Sequence, residues 1–199
     1  MEPTLNTLGT SAKELSAQAP RYAEQMQAQV AALKQFSDNI QELSSLENSL
    51  TEPYEMGEVN AGTFCESVME KAKEFIKPDV TPSVNAPKLQ VKTNKEQLER
   101  ILLYLLKNAA FYTEQGRISL DFKKRGAHTH QFIITDTGTG IPAEQQENLF
   151  KPFTQVKDLT TGDGLGLPIC SLIATKMNGS LTLDTSYTKG CRFILELHA

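Results

Sequence analysis

With 199 residues, 39% of them hydrophobic, the chain has material for one ordinary domain and an appendage. A formal net charge of −4 argues against nucleic acid as a partner, because such proteins present a basic face or stripe. No apolar run approaches the roughly 18 residues of a membrane span, and the N-terminus lacks a signal peptide's basic and apolar regions, so no direct membrane insertion is expected and the chain reads as cytoplasmic, or as the cytoplasmic part of something longer.

Residues 1–50 are rich in Ala, Gln, Leu and Glu. Leu5, Leu8, Ala12 and Leu15 suggest a first short helix, with a break expected at Pro20. A second helix follows over about 21–50, in which Met26, Val30, Leu33, Phe36, Ile40, Leu43, Leu46 and Leu50 recur at spacings of four and three. That narrow seam is the pattern of a coiled coil or bundle, and two helices alone bury it poorly. A homodimeric four-helix bundle buries it well, and a hairpin folded onto its own domain is the alternative.

After a linker at 51–54, a strand is expected near Glu55–Val59. Asn60 then caps a helix carrying Phe64, Val68, Met69, Ala72 and Ile76. Prolines 78, 82 and 87 leave room only for short strands around Val84 and Leu89–Val91. Thr93 and Glu96 form a capping box opening a helix with Leu98, Ile101, Leu102, Leu105, Leu106 and Ala109 on one face. Asn108 lies at the edge of that stripe.

Strands are expected over 117–122, with Ile118, Leu120 and Phe122 inward, and over 131–135, joined through Arg125-Gly126. His128 and His130, two apart, should face the same way, as solvent-facing hairpin residues rather than a metal pair. The second of those strands ends at Asp136, whose carboxylate can accept a hydrogen bond from an exocyclic amine such as that of adenine. Gly138 and Gly140 free the next turn to approach a ligand closely. A second cluster, Gly162-Asp163-Gly164-Leu165-Gly166-Leu167, runs into a helical pattern ending near Met177, an arrangement that sets backbone N–H groups against an anion. Residues 142–164 read as a mobile lid in which Lys151 and Lys157 can reach phosphates. Two alternating strands, 180–184 and 191–197, close the chain. Cys65, Cys170 and Cys191, an odd number in apolar surroundings, read as buried free thiols.

Taken together, DTGTGIP, LFKPF and GDGLGLPIC resemble the first glycine box, the phenylalanine box and the second glycine box of sensor histidine kinases. That family shares its ATP-binding domain with Hsp90-type chaperones, DNA gyrase and MutL, and the phenylalanine box sets histidine kinases apart. LLYLLKNAAFYT resembles the N box. The resemblance implies an α+β fold: a two-layer α/β sandwich of the Bergerat type, a mixed sheet with helices on one face, preceded by a helical hairpin. It implies domains at 1–52, a partial dimerisation and phosphoacceptor region, and 53–199, the ATP-binding catalytic domain. It also implies ATP and Mg²⁺ as cofactors, with Asn108 as the magnesium ligand. The nucleotide would further be bound by Tyr112, Asp136, Gly138, Gly140, Ile141, Lys157, Gly162, Gly164, Leu165, Gly166 and Leu167. Partners would be a second copy, through the N-terminal helices, and a response-regulator receiver domain.

Departures accompany the resemblance. Residues 3–15 are similar to the sequence following the phosphorylated histidine, which would fall just before Met1, and the first fifty residues hold no histidine. Tyr104 stands where the family carries a polar residue that assists the metal and the phosphoryl chemistry, and Phe111 stands in place of a phosphate-touching base. The implied function is ATP-dependent transfer of a phosphoryl group to a histidine outside this chain and on to a response regulator, with Asn108 and Tyr104 as catalytic candidates. The alternative is a degenerate nucleotide-binding dimeric scaffold. A chaperone- or topoisomerase-like ATPase is disfavoured because Tyr104 is no general base near neutral pH.

Overall fold

The computed structural model describes residues 2–154 and 164–198, with side chains from Pro20 onward. Two compact units divide the chain, Met1–Gln41 and Glu42–Ala199.

The N-terminal region is one helix, α1 (Glu2–Asn48), with Pro20 inside it, where the sequence suggested two helices and a break. A proline inside a helix costs about 3 kcal/mol through its missing N–H and its clash with the preceding turn. Strong helix formers on both sides, Ala17, Gln18 and Ala19 before and Ala23, Glu24 and Gln25 after, carry the helix through it. In the first unit the seam residues Met26, Val30 and Leu33 are 66–68% exposed. In the second unit, Leu43 and Leu46 are buried, and Glu42 makes a two-pronged ion pair with Arg100.

The second unit is a two-layer α+β sandwich, as the sequence implied. Strand β1 (Gly57–Asn60) leads into helix α2 (Ala61–Ala72), capped by Asn60, whose side chain accepts from the Thr63 amide at 3.2 Å. A short 3₁₀ turn, β2 (Val80–Asn85) and β3 (Gln90–Thr93) follow, and β3 pairs antiparallel with β1. Helix α3 (Lys95–Tyr112) is the core helix. Its cap is Asn94, accepting from the Gln97 amide at 2.9 Å, one residue beyond the predicted Thr93. Thr93 is still in β3, with its side chain turned into the core, so the first residue free to cap is the next one.

Strands β4 (Gly116–Arg125), β5 (Thr129–Asp136), β6 (Gly179–Leu183) and β7 (Arg192–His198) join β2 in a mixed sheet of order β2-β4-β5-β7-β6. Only the β2–β4 pair is parallel. Pro82 sits in β2 at the sheet edge, where its missing donor leaves no gap in a central ladder. One face of the sheet (Ile118, Leu120, Phe122, Phe132, Ile134, Leu195) is buried beneath α2, α3 and the later helix α5 (Gly166–Lys176). His130 belongs to this buried face, contrary to the solvent-facing expectation. It lies in β5, stacked on Phe122 at 5.8 Å, while His128 lies in the exposed turn. Burial, then the charges of Lys124 and His128, lowers its pKa. All three cysteines are buried free thiols.

Candidate functional site

Asp136 ends β5, at a point where the ladder has just been completed. Its own N–H donates to the Cys191 carbonyl at 2.9 Å, which fixes the backbone against the start of β7. Its Oδ1 accepts the Gly138 amide at 2.9 Å and the Cys191 amide at 3.1 Å. Among the described residues Oδ2 takes no hydrogen bond, so one oxygen holds the loop while the other has no partner there. The residue is 4% exposed. Burial raises the carboxyl pKa, and the two backbone hydrogen bonds work against that rise.

The turn after Asp136 lies on the C-terminal end of α3. The Thr139 amide donates to the Tyr112 carbonyl at 3.3 Å, and Thr137 exchanges bonds with the Arg117 backbone. Gly138 is so close to α3 that a side chain there would collide with the Tyr112 carbonyl and lie 2.9 Å from the Thr113 hydroxyl. Gly140 has a φ of 72°, the left-handed region that glycine tolerates. Ile141 is half-buried, and its carbonyl accepts from the Gln146 side chain of the short helix α4 (Ala143–Gln146).

Along α3, Tyr104, Asn108 and Tyr112 are all half-buried and recur every four residues, so they form one ridge of about 12 Å from first to last. The Tyr112 end meets the Gly138 turn. The Tyr104 end meets the second glycine cluster: a side chain on Gly166 would collide with the Tyr104 phenol oxygen and two of its ring carbons. Asn108 lies midway, and among the described residues its amide has no hydrogen-bond partner. Burial is the main cause of the raised Tyr112 pKa. Phe111 is exposed and edge-on to Tyr112 at 4.9 Å, and Lys77 reaches its carbonyl at 3.3 Å.

Helix α5 begins at Gly166, with the fully buried Leu165 as N-cap residue and no side-chain cap. Leu167 is half-buried in its first turn. Gly164 (φ 70°) accepts from the Phe153 amide at 3.2 Å, and a side chain there would lie 2.8 Å from the Thr154 carbonyl, so the last residue of the expected lid is tied to its middle. Lys151 bonds Asn148 rather than reaching toward the glycines. Lys157 and Gly162 lie outside the described residues.

The structure thus gathers Tyr104, Asn108, Tyr112, Asp136, Gly138, Gly140, Gly164 and Gly166 between the end of β5, one face of α3 and the start of α5. Sequence reasoning missed Gly190 and Cys191. Their backbone flanks Asp136, with Gly190 so close that a side chain would collide with the Asp136 carbonyl. No local signal marks them, because β5 and β7 are paired across more than fifty residues.

The profile described as HATPase_c: Histidine kinase-, DNA gyrase B-, and HSP90-like ATPase matches residues 93–199, more than half of the chain. The chain belongs to this family. Aerobic respiration control sensor protein ArcB of Escherichia coli (strain K12) is 26% identical over 195 residues, covering 94% of this chain and 25% of ArcB. Sensor histidine kinase RcsC of Salmonella typhimurium is 34% identical over 127 residues, 62% of this chain and 13% of RcsC. This chain therefore spans a quarter or less of the length of these relatives. Among solved structures, Acinetobacter baumannii histidine kinase AdeS superposes with a TM-score of 0.71 at 21% identity, covering 88% of this chain and 82% of that one. The catalytic domain of histidine kinase ThkA superposes at 0.60 with 26% identity, covering 73% and 98%.

As a member of the family the chain has an ATP-binding domain of the histidine kinase type, and its site fits such a ligand. Asp136 offers a buried acceptor, and the glycine turns leave backbone exposed. The Asn108 amide oxygen, without a partner among the described residues, is of the hard type that suits a cation arriving with phosphates. Among the described residues no helix is long and apolar enough to cross a membrane.

Proposed function

We propose that this chain is the nucleotide-binding catalytic part of a cytoplasmic or membrane-anchored sensor histidine kinase. Asp136 reads the adenine amine, Tyr112 lines the base, Asn108 holds Mg²⁺, and Gly138, Gly140, Ile141, Gly164, Leu165, Gly166 and Leu167 shape the loops around the sugar and phosphates. The observation that carries this reading is the ridge on α3. It joins the buried Asp136 turn at one end to the Gly166 helix start at the other, over a span of about 12 Å. A base acceptor and an anion seat are thus held at fixed separation by one rigid helix. A structure titled ShkA full-length in complex with AMPPNP shares the fold, with a TM-score of 0.72 at 22% identity, over 84% of this chain and 36% of that one.

In such a site the protein's part in phosphoryl transfer is positioning and charge stabilisation, while a bound Mg²⁺ neutralises charge developing on the phosphates. The acceptor is a histidine supplied from outside the described chain, and the next acceptor is the aspartate of a response-regulator receiver domain. The exposed seam on α1 is the surface through which two copies pair. Calorimetric titration with a hydrolysis-resistant ATP analogue, with and without Mg²⁺, tests the reading. Micromolar, magnesium-enhanced binding that disappears in Asp136→Ala supports it, and absence of binding at millimolar nucleotide refutes it.

A further inference from the structure

We propose that the open face of the main sheet is a docking groove for an extended acidic segment of a partner protein, with two carboxylates flanking an apolar residue. Helices α2, α3 and α5 cover the other face, so the groove is separate from the candidate nucleotide site.

Alternation along β4, β5 and β7 sends every second side chain to the open face. Among the described residues a groove of about 300 Å³ is lined there by those three strands and by Asp184, just past β6. That volume is at the lower end for ligand sites and leaves room for a few side chains. Its floor is Ile133, paired across the strands with Ile194. The register puts Arg192 and Lys123 at opposite corners, with Ile133 midway on the diagonal between them. Two strand spacings and four residues separate the corners, so their Cα atoms are about 16 Å apart.

Both corners keep cationic donors. Lys123 has no partner among the described residues, and Arg125, beyond it on β4, bonds the neutral Gln131 side chain at 3.2 Å. At the other corner the Arg192 guanidinium is held rigid. Its Nε donates to Thr135 Oγ1 and its Nη1 to Asp184 Oδ2, each at 3.2 Å, and it lies over the Tyr187 ring at 4.2 Å. Nη2 remains without a partner among the described residues. The acids off the diagonal are already engaged: Asp121 accepts from the Ser119 hydroxyl at 2.8 Å, and Glu196 from the Gln131 side chain at 2.7 Å.

In an extended peptide, residues i, i+2 and i+4 face the same way, and the outer two are about 13 Å apart. Acidic side chains at those two positions reach the corners, and the one between them meets the isoleucines. A compact anion meets one corner and leaves the floor bare. Nucleic acid fits poorly, because none of the lining residues is aromatic and a base has nothing to stack on.

The experiment follows the fluorescence anisotropy of a labelled, end-blocked Glu-Ala-Leu-Ala-Glu peptide titrated with the full chain. The expected result is saturable binding that weakens with added salt and falls roughly tenfold or more in the double variant Lys123→Ala, Arg125→Ala. Both side chains are exposed, and the melting temperature of the variant checks that the fold is intact. The same peptide with serine for leucine should bind more weakly, and a saturating ATP analogue should leave binding unchanged. No binding at millimolar peptide, equal binding by the double variant, or equal binding of the serine peptide overturns the proposal. So does displacement by the nucleotide. Displacement by inorganic phosphate or succinate at comparable concentration would assign the groove to a small anion, and altered sedimentation of the double variant without peptide would assign the face to a second copy; either result also overturns it.

Discussion

Asp136 and Cys191 hold each other through two backbone-anchored bonds: the Asp136 amide donates to the Cys191 carbonyl, and the Cys191 amide donates to Asp136 Oδ1. One ties the end of β5 to the residue just before β7 and the other aims a carboxylate, so the Cys191 backbone fixes both where Asp136 sits and which oxygen, among the described residues, it leaves without a partner. Burial raises the Asp136 pKa, so folding favours its protonated form. Below the unfolded carboxyl pKa both states are protonated and the site costs nothing. As pH rises through that range, the ionised form destabilises the fold. Asp136→Asn keeps an oxygen for both amides and removes the charge. Without nucleotide, its melting temperature should match or exceed the parent's at pH 7, and the difference should vanish near pH 3. Adenine-nucleotide binding should be lost at both pH values. A variant that melts well below the parent at pH 7 would show that the carboxylate charge supports the fold.

Gly138 and Gly57 form a matched pair for testing close approach. A methyl group on Gly138 meets the Tyr112 carbonyl, whereas one on Gly57 meets nothing within 4 Å. Gly138→Ala should destabilise the domain by about 1–3 kcal/mol, the usual range for forced overpacking, and weaken nucleotide binding by shifting the turn. Gly57→Ala should be neutral or slightly stabilising. Denaturant unfolding of both variants decides, and equal midpoints would contradict the packing described at Gly138.

Much of this architecture was legible in the sequence because it is local. The period of the α3 stripe, the alternation of Ile118, Leu120 and Phe122, and the Asn60 cap each depend on neighbours a few residues away. The illegible parts are those decided at a distance. Thr93 makes a sound capping box on paper, but β3 pairing with β1 keeps it in the strand. His130 reads as a hairpin residue until the register places it opposite Lys124 and turns its ring onto Phe122. Pro20 reads as a break because its cost is local, while helix formers on both sides favour continuity. Tyr104 read as a departure from a motif, and its meeting with Gly166 required two helices to be packed.

Asn108 has no hydrogen-bond partner among the described residues and lies at the edge of the α3 stripe, so the fold does not depend on its amide. Asn108→Ala should unfold within about 0.5 kcal/mol of the parent, since it raises helix propensity and removes little packing. The enhancement of nucleotide affinity by Mg²⁺ should disappear. Titrations with and without the metal check this, and a variant retaining the full magnesium effect would remove Asn108 from the metal site.

Burial lifts the thiols of Cys65, Cys170 and Cys191 to about 12, with the Asp136 charge adding to the effect at Cys191 and the Glu66 charge at Cys65. At pH 8 the thiolate fraction of each is then on the order of one in ten thousand, against roughly a quarter for a free cysteine. Alkylation of the native chain at pH 8 should be slow at all three positions and become complete on unfolding in denaturant. Rapid labelling of Cys191 in the native protein would mean that the β7 edge beside Asp136 opens readily.

On α1, Met26, Val30 and Leu33 present an apolar stripe to solvent in the single chain. Burying such side chains stabilises an interface by about 1.5–3 kcal/mol each, so a second copy is a strong competitor to water. The chain should sediment as a dimer at micromolar concentration. Val30→Glu combined with Leu33→Glu should raise the dissociation constant at least a hundredfold, since each removes an apolar contact and places like charges across a two-fold seam. Nucleotide affinity should be unaffected, because the Asp136 and Asn108 site is built entirely within Glu42–Ala199. A parent chain that sediments as a monomer at all concentrations would leave the stripe without its proposed partner. A double variant that loses nucleotide binding along with dimerisation would instead show that the two units depend on each other.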